Sequence, residues 1–241
     1  MKLQRLLSLV RQAVDTYGLI EDNDHIAVGL SGGKDSLTLL YALNGLKRFY
    51  PHPFTLSAIT VDLGLGTMNL EPVRELCAKL EIPYSIVPTE IGTILFETRK
   101  EKNPCSLCAK MRKGALNQKA LELGCNKIAY AHHRDDVIET MLMSLFYEGR
   151  FHCFSPTTSL DATGLSVIRP MIYVTEADVI GFQRSFQLPV CKNPCPMDGH
   201  SKRQYVKELI RQMQKDNPYL KDCLFHAVTE GTLKEWAPYA R

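Results

Sequence analysis

The chain reads as an α/β protein organised on a parallel sheet, and three observations predict this. Short apolar runs alternate with helical repeats along most of the 241 residues, the pattern of right-handed βαβ crossovers. One run, Ile26 to Leu30, empties into Ser31-Gly32-Gly33-Lys34-Asp35-Ser36, and a helical repeat (Leu37, Leu39, Leu40, Leu43) follows at once. The fourth expected strand, Lys127 to Ala131, ends in the same way at His132-His133-Arg134-Asp135-Asp136. Strand ends of this kind collect at the carboxyl edge of an open sheet, where ligands bind.

Leu3, Leu6, Leu7, Val10 and Val14 recur at helical spacing and predict an amphipathic N-terminal helix. The helix after the glycine loop runs from about Asp35 to Arg48, and Pro51 and Pro53 break it. Phe54 to Val61 is a second strand, ending in the flexible Asp62-Leu63-Gly64-Leu65-Gly66. Asp62 there either faces a nucleotide or closes its own turn. Leu70, Val73, Leu76, Cys77 and Leu80 form another helical face, and Pro83 to Val87 a third strand. Arg99 to Pro104 is expected to be an irregular approach to Cys105-Ser106-Leu107-Cys108, with a basic helix from about Ala109 to Leu123. Beyond Gly149 the pattern loosens, passing a turn at Asp161-Ala162-Thr163-Gly164 before a short strand, Leu165 to Ile168. Glu176 to Phe186 is helical, and a helix beyond His200 carries Lys202, Arg203, Lys207, Arg211 and Lys215. The expected organisation is an N-terminal helix (1–23), a nucleotide-binding domain (24–190) and a small helical C-terminal extension (191–241).

An apolar content of 45% and a charged content of 23% are those of a soluble globular chain. No apolar run approaches the roughly 18 residues of a spanning helix, and residues 1–5 lack a signal-peptide core. The expected compartment is therefore cytoplasmic, with no membrane partner. Eight cysteines in a reducing compartment point to metal or catalysis rather than a disulfide scaffold. A net charge of +3 permits an RNA partner without arguing for one.

The glycine loop carries the first piece of chemistry. Strand, glycine turn and helix aim backbone N–H groups at a phosphate. Gly32 and Gly33 allow close approach, Ser31 and Ser36 add hydroxyls, and Lys34 adds a charge. A Gly-x4-Gly-Lys-[Ser/Thr] string is absent, and so is Gly-x-Gly-x-x-Gly, which argues against a Walker loop and a dinucleotide fold. At the second corner, Asp135 and Asp136 open a helix. They either cap it or hold a divalent metal against phosphates, with His132 beside them for proton movement or charge stabilisation. His25 and His52 lack such company.

The cysteines carry the second piece. Cys105-x2-Cys108 at a helix start suits zinc, an iron–sulfur cluster or dithiol exchange, and the helix dipole is expected to lower its thiol pKa values. A third thiol comes from Cys191-Lys192-Asn193-Pro194-Cys195-Pro196-Met197-Asp198-Gly199. Cys195 is preferred because its prolines fix the backbone; Cys191 is then a bystander or a sulfur relay. Cys77, Cys125, Cys153 and Cys223 are expected to be structural. Between Arg99 and Lys119 seven basic residues face one acidic residue. Lys110, Arg112 and Lys113 there, with Lys202 and Arg203, form candidate phosphate-tracking segments.

These motifs carry a family resemblance. Ser31 to Ser36 resembles the pyrophosphate (PP) loop of the N-type ATP pyrophosphatases, an adenine nucleotide α-hydrolase-like fold. Ala131-His132-His133-Arg134-Asp135-Asp136-Val137-Ile138-Glu139-Thr140 looks like the second motif of their tRNA-modifying members, with Ala131 where many have glycine. Cys-x2-Cys plus a distant Pro-Cys, together with Gly149-Arg150, Arg169-Pro170-Met171-Ile172 and Glu176-Ala177-Asp178-Val179, resembles the tRNA 2-thiocytidine synthetases from about Asp24 to Arg211. One departure is that those enzymes place the third ligand in Pro-Cys-x2-Cys, whereas here three residues separate Cys191 from Cys195.

The resemblance implies an ATP-dependent sulfurtransferase. It would adenylate O2 of a tRNA cytidine, position 32 of the anticodon loop, and replace that oxygen with sulfur drawn from a 4Fe-4S cluster. ATP would be held by Ser31, Gly32, Gly33, Lys34, Asp35, Ser36, Asp62 and His132. Asp35, Lys34, His132, Asp135, Asp136 and Arg169 would be catalytic, Asp135 and Asp136 with Mg2+. Cys105, Cys108 and Cys195 would hold the cluster. Partners would be tRNA and a sulfur donor, either a cysteine desulfurase or free sulfide, with room for a homodimer. Alternatives are lysidine or 2-thiouridine chemistry and a non-catalytic zinc module that binds RNA.

Overall fold

The computed structural model describes residues 1–66, 68–99, 104–160, 163–191, 194–195 and 202–230. Six strands form one sheet: β1 (Asp24–Gly29), β2 (Phe54–Asp62), β3 (Tyr84–Pro88), β4 (Lys127–Ala129), β5 (Thr157–Leu160) and β6 (Leu165–Ile168). Their spatial order is β3-β2-β1-β4-β6-β5, parallel throughout except for the antiparallel β5–β6 edge. Residues Ala27 and Val28 of β1 pair with Ser57 and Ala58 on one side and with Ile128 and Ala129 on the other. The chain therefore builds outward from β1 through β2 to β3, then returns to place β4 on β1's opposite side. That reversal opens a crevice at the carboxyl ends of β1 and β4.

Both faces of the sheet are covered, so its central strands are apolar without alternation. Ile26 and Val28 face a large core that includes Leu6 and Val10 of α1 (Leu3–Tyr17), Leu40 and Leu43 of α2 (Lys34–Lys47), Val137 and Met141 of α6 (Arg134–Glu148), and Phe182 of α7 (Glu176–Phe186). Val206 and Ile210 of α8 (Lys202–Met213) and Phe225 of α9 (Leu220–Thr229) join the same core. Ala27, Ile59 and Ile128 face the other way, onto Leu116 and Ala120 of α5 (Pro104–Glu122). A methyl group at Gly29 would lie 3.1 Å from Leu116, so α5 packs directly against the end of β1.

Most expected elements occur within a few residues of their predicted bounds; α3 (Glu71–Lys79) falls where its periodicity put it, and α7 spans the expected Glu176 to Phe186. The differences have local reasons. Helix α5 starts at Pro104, which suits the first helical position because its missing N–H has no partner there. Cys105 and Cys108 thus lie on the helix, not before it. A short helix, α4 (Ile91–Thr93), continues as a π-helical turn, Ile94–Thr98, that no apolar period announced. Strand β5 was also missed. Its burial alternates between exposed and half-buried, and Leu160 is its only large apolar residue. Lys215 lies beyond α8 in a turn. Of the 161–164 turn, Thr163 and Gly164 both donate to the Leu160 carbonyl. Asp161 and Ala162 lie outside the described residues, as do Lys100 to Asn103.

Candidate active site

A cavity of about 470 Å³ opens at the β1–β4 crevice. One wall is Leu30, Ser31, Asp35 and Ser36; the opposite wall is Tyr130, His132, Asp136 and Arg169; Arg112 and Lys113 of α5 lie across its mouth. The glycine loop forms as its residues require. Gly32 has φ +74°, and Gly33 is the extended N-cap of α2. The Ser36 hydroxyl donates to the Gly33 carbonyl at 3.0 Å and accepts from the Ser31 N–H at 3.2 Å, which ties the loop to the first helical turn. Lys34 is held 3.1 Å from Asp35 and 3.5 Å from Glu176.

The second corner is a capping box. His133 accepts from the Asp136 N–H through Nδ1 at 3.3 Å, and Asp136 accepts from the His133 N–H at 3.0 Å. Nε2 of His133 stands 3.6 Å from Asp35, so this buried ring bridges the carboxylates of the two loops. Asp135 goes elsewhere. Its oxygens accept from Lys221 Nζ at 2.6 Å and from the Glu176 N–H at 2.7 Å. Burial raises the Asp135 pKa, but these two donors outweigh burial and the carboxyl stays below its ordinary value. Asp135 is thus a brace joining α6, α7 and α9, and Asp35 takes its place beside Asp136 at the cavity.

The His132 ring lies 4.6 Å, centre to centre, from the ring of Phe154, and the Arg169 guanidinium stands over the same Phe154 ring, 4.9 Å from its centre. Among the described residues, His132 Nδ1, Arg169 Nε and the Tyr130 hydroxyl are buried with no hydrogen-bond partner. Unpaired polar atoms are costly inside a protein, and three of them on one cavity wall fit a polar ligand. Burial, then the cations Arg169 and Arg203, lowers the His132 pKa to about 4 against the pull of Asp136. The ring is neutral near pH 7. Its proton affinity is higher unfolded (about 6.5) than folded, so acid favours unfolding between those values. Between pH 7 and pH 5 the wild type should lose about 2 kcal/mol through this group. His132→Phe should lack that component, which urea unfolding at the two pH values measures; equal losses in both proteins would refute a neutral buried ring.

The acidic corner is joined to α8 by charge. Arg203 lies 3.4 Å from Asp136 and 3.0 Å from Glu139; Lys207 lies 3.7 Å from Glu139 and 3.0 Å from Glu176. With Lys34, Asp35 and His133 these residues close a ring around the site. Arg203, expected on an RNA-facing surface, is therefore turned inward. Glu139 and Glu176 stand inside the motif strings and Lys207 among the basic residues of the last helix, but nothing in the sequence assigned any of them to the site. Burial pushes the Glu139 carboxyl up, and Lys207 and Arg203 offset it only in part.

The cysteines divide into two places. Because α5 connects parallel β3 to β4, it begins at the carboxyl edge, and Cys105 and Cys108 stand one turn apart there. Cys108 lies within electrostatic reach of both Cys105 and Cys195, with Arg112 beside it. Burial pushes the Cys108 thiol up more than Arg112 lowers it, so the expected depressed pKa is not found. Among the described residues no three such side chains converge on a single ion. As a donor set, three thiols with a guanidinium to offset their charge suit a soft iron–sulfur group. Cys191 packs instead on the glycine loop: its N–H donates to the Gly32 carbonyl at 2.9 Å, and its Sγ lies 3.2 Å from the Asn69 carbonyl. Lys192, Asn193 and 196–201 lie outside the described residues.

Asp62 accepts from the Gly64 N–H at 3.0 Å, closing its own turn, and lines a smaller cavity of about 140 Å³ with Cys191 and Met68. Cys77, Cys125 and Cys153 are buried as expected, whereas Cys223 is exposed. Lys110, Lys113 and Lys202 are exposed. No described helix is long and apolar enough to cross a membrane.

Comparison with known proteins agrees with this arrangement. Residues 3–213 match the PP-loop domain family. The chain is 38% identical over 228 residues to a tRNA-cytidine(32) 2-sulfurtransferase of Geotalea daltonii, covering 93% of this chain and 90% of that one. It is 36% identical to the enzyme of that name from Geobacter sulfurreducens, covering 94% and 90%. A solved structure of a U34-tRNA thiolase from Methanococcus maripaludis, with its 4Fe-4S cluster, superposes with a TM-score of 0.77 at 26% identity, covering 93% of this chain and 76% of that one. Fold, crevice and sequence thus lead to one assignment: the chain belongs to the PP-loop family and, within it, to the tRNA-cytidine(32) 2-sulfurtransferases.

Proposed function

We propose that the chain converts a tRNA cytidine to 2-thiocytidine, using ATP to activate O2 of the base. The observation that carries this reading is the meeting, at one crevice, of the glycine loop, the His132–Asp136 corner and α5, whose Cys108 immediately precedes the lining residue Ala109. Ser31, Gly32, Gly33 and Ser36 bind the ATP phosphates. Lys34 and Arg169 offset the charge that develops as O2 attacks the α-phosphorus and pyrophosphate leaves. Asp35 and Asp136 are the carboxylates that would hold Mg2+, positioned by the ring of His133; Asp135 supports the corner from behind. Neutral His132 presents Nδ1 to the substrate as an acceptor. Cys105, Cys108 and Cys195 would hold the iron–sulfur cluster, which when bound supplies the sulfur that replaces the adenylated oxygen. Lys110, Arg112 and Lys113 lie where they can meet tRNA phosphates. The sulfur reaches the site from a cysteine desulfurase or from free sulfide.

The test is anaerobic incubation of the iron-loaded protein with ATP, Mg2+, sulfide and tRNA, followed by nucleoside mass spectrometry. Pyrophosphate release and 2-thiocytidine are expected together, each dependent on the other substrates. Protein that carries zinc in place of iron, or that releases no pyrophosphate, would remove this reading.

A further inference from the structure

Resting on that reading, a separate surface bears on how the substrate is seated. Large apolar side chains are exposed along the last turn of α6 and just beyond it: Leu145, Phe146, Tyr147 and Phe151 fall within seven residues. Tyr205, 59% exposed, stands on α8, the helix that packs on α6. Cations are interleaved with them. Lys202 Nζ sits 4.4 Å from the centre of the Tyr147 ring, and Arg150 and His152 are exposed on the segment that follows α6. None of these rings is needed for the core.

The same segment leads back to the crevice. Cys153 is buried, its thiol donating to the Val137 carbonyl in the first turn of α6, and the Phe154 ring lies tilted against that of His132, a residue of the cavity wall. Residues 151–154 therefore run from exposed rings to the reaction pocket. Along α6, Asp136 and Tyr147 are eleven residues apart, about 17 Å at 1.5 Å per residue, a distance that a few nucleotides cover. Single-stranded RNA loops present unstacked bases to aromatic faces and phosphates to cations.

We propose that the end of α6, the 150–154 return and the first turn of α8 seat the single-stranded loop of the tRNA, with nucleotides beside the target base stacked on Tyr147 and Phe151 and phosphates met by Lys202 and Arg150. The interleaved cations and the continuity with the crevice favour RNA over an apolar protein partner. The probe is a fluorescein-labelled anticodon stem-loop RNA with cytidine at position 32, alongside a blunt duplex of the same stem, titrated by anisotropy. Tyr147→Ala with Phe151→Ala should weaken stem-loop binding about tenfold or more, leaving duplex and ATP binding within twofold. Phe151→Trp, which keeps a stacking face, should retain binding. Stem-loop affinity unchanged in the double variant, or falling equally for the duplex, overturns the proposal. So does a change confined to self-association in sedimentation, which would give the surface to a second copy of the chain. Wild-type protein that binds neither RNA overturns the tRNA reading itself, and this surface with it.

Discussion

Cys195→Ala should lose bound iron and sulfur transfer together, while Cys191→Ala keeps both within about threefold of the wild type. Two cysteines four positions apart would be hard to separate by spacing. They are separated by what they touch. Cys108 feels the charge of Cys195 as it does that of Cys105, whereas Cys191 is fastened to Gly32 and Asn69. Iron per chain after anaerobic reconstitution is one readout; 2-thiocytidine formed is the other. ATP binding separates the two variants further. Cys195→Ala should leave ATP affinity unchanged, since the charge of this residue is felt at Cys108 on α5, and Cys191→Ala should shift it only modestly. The opposite pattern, iron lost with Cys191 and kept without Cys195, would move the third ligand to Cys191.

Gly32→Ala should abolish measurable ATP-dependent pyrophosphate release while the protein stays folded. Two effects combine. A φ of +74° costs an L-residue roughly 1–2 kcal/mol. The new methyl would also press on the flexible end of the Met68 side chain, which must swing aside, and lie 3.1 Å from Cys191 Cβ, so the loop or the Cys191 segment must give by a few tenths of an ångström. Gly124→Ala isolates the first effect, because Gly124 has φ +71° with nothing within 4 Å of a methyl group. It should cost a similar amount of stability with ATP affinity unchanged. Calorimetric titration with ATP and thermal unfolding of both variants separate strain from displacement; equal ATP affinity in Gly32→Ala and wild type would show that the loop does not need this geometry.

Much of the fold was legible because its signals are local. A strand buried on both faces is a run such as Ile26 to Leu30, and a helix with one face on the core repeats apolar residues at helical spacing, as α1 does. Strand β5 and the π-helical turn at Ile94–Thr98 escaped because neither has such a period: β5 exists because β6 offers it an antiparallel edge. In the site, the glycine loop and the His132–Asp136 string were recognisable because each is contiguous and each chemical role needs its residue types side by side.

The amino-acid sequence by itself determined the parallel α/β architecture, the phosphate loop and the residue types available for metal and sulfur chemistry. Tertiary structure decided which of them share a surface. Asp135 and Asp136 are neighbours in the chain, yet successive residues of a helix point about 100° apart, so one braces α9 through Lys221 and the other faces the cavity. Arg203 carries the same charge as Lys202, but one turns to Glu139 inside the fold and the other to Tyr147 at its surface. Such assignments depend on partners about 55 to 86 positions away, and no local pattern in the chain encodes that distance.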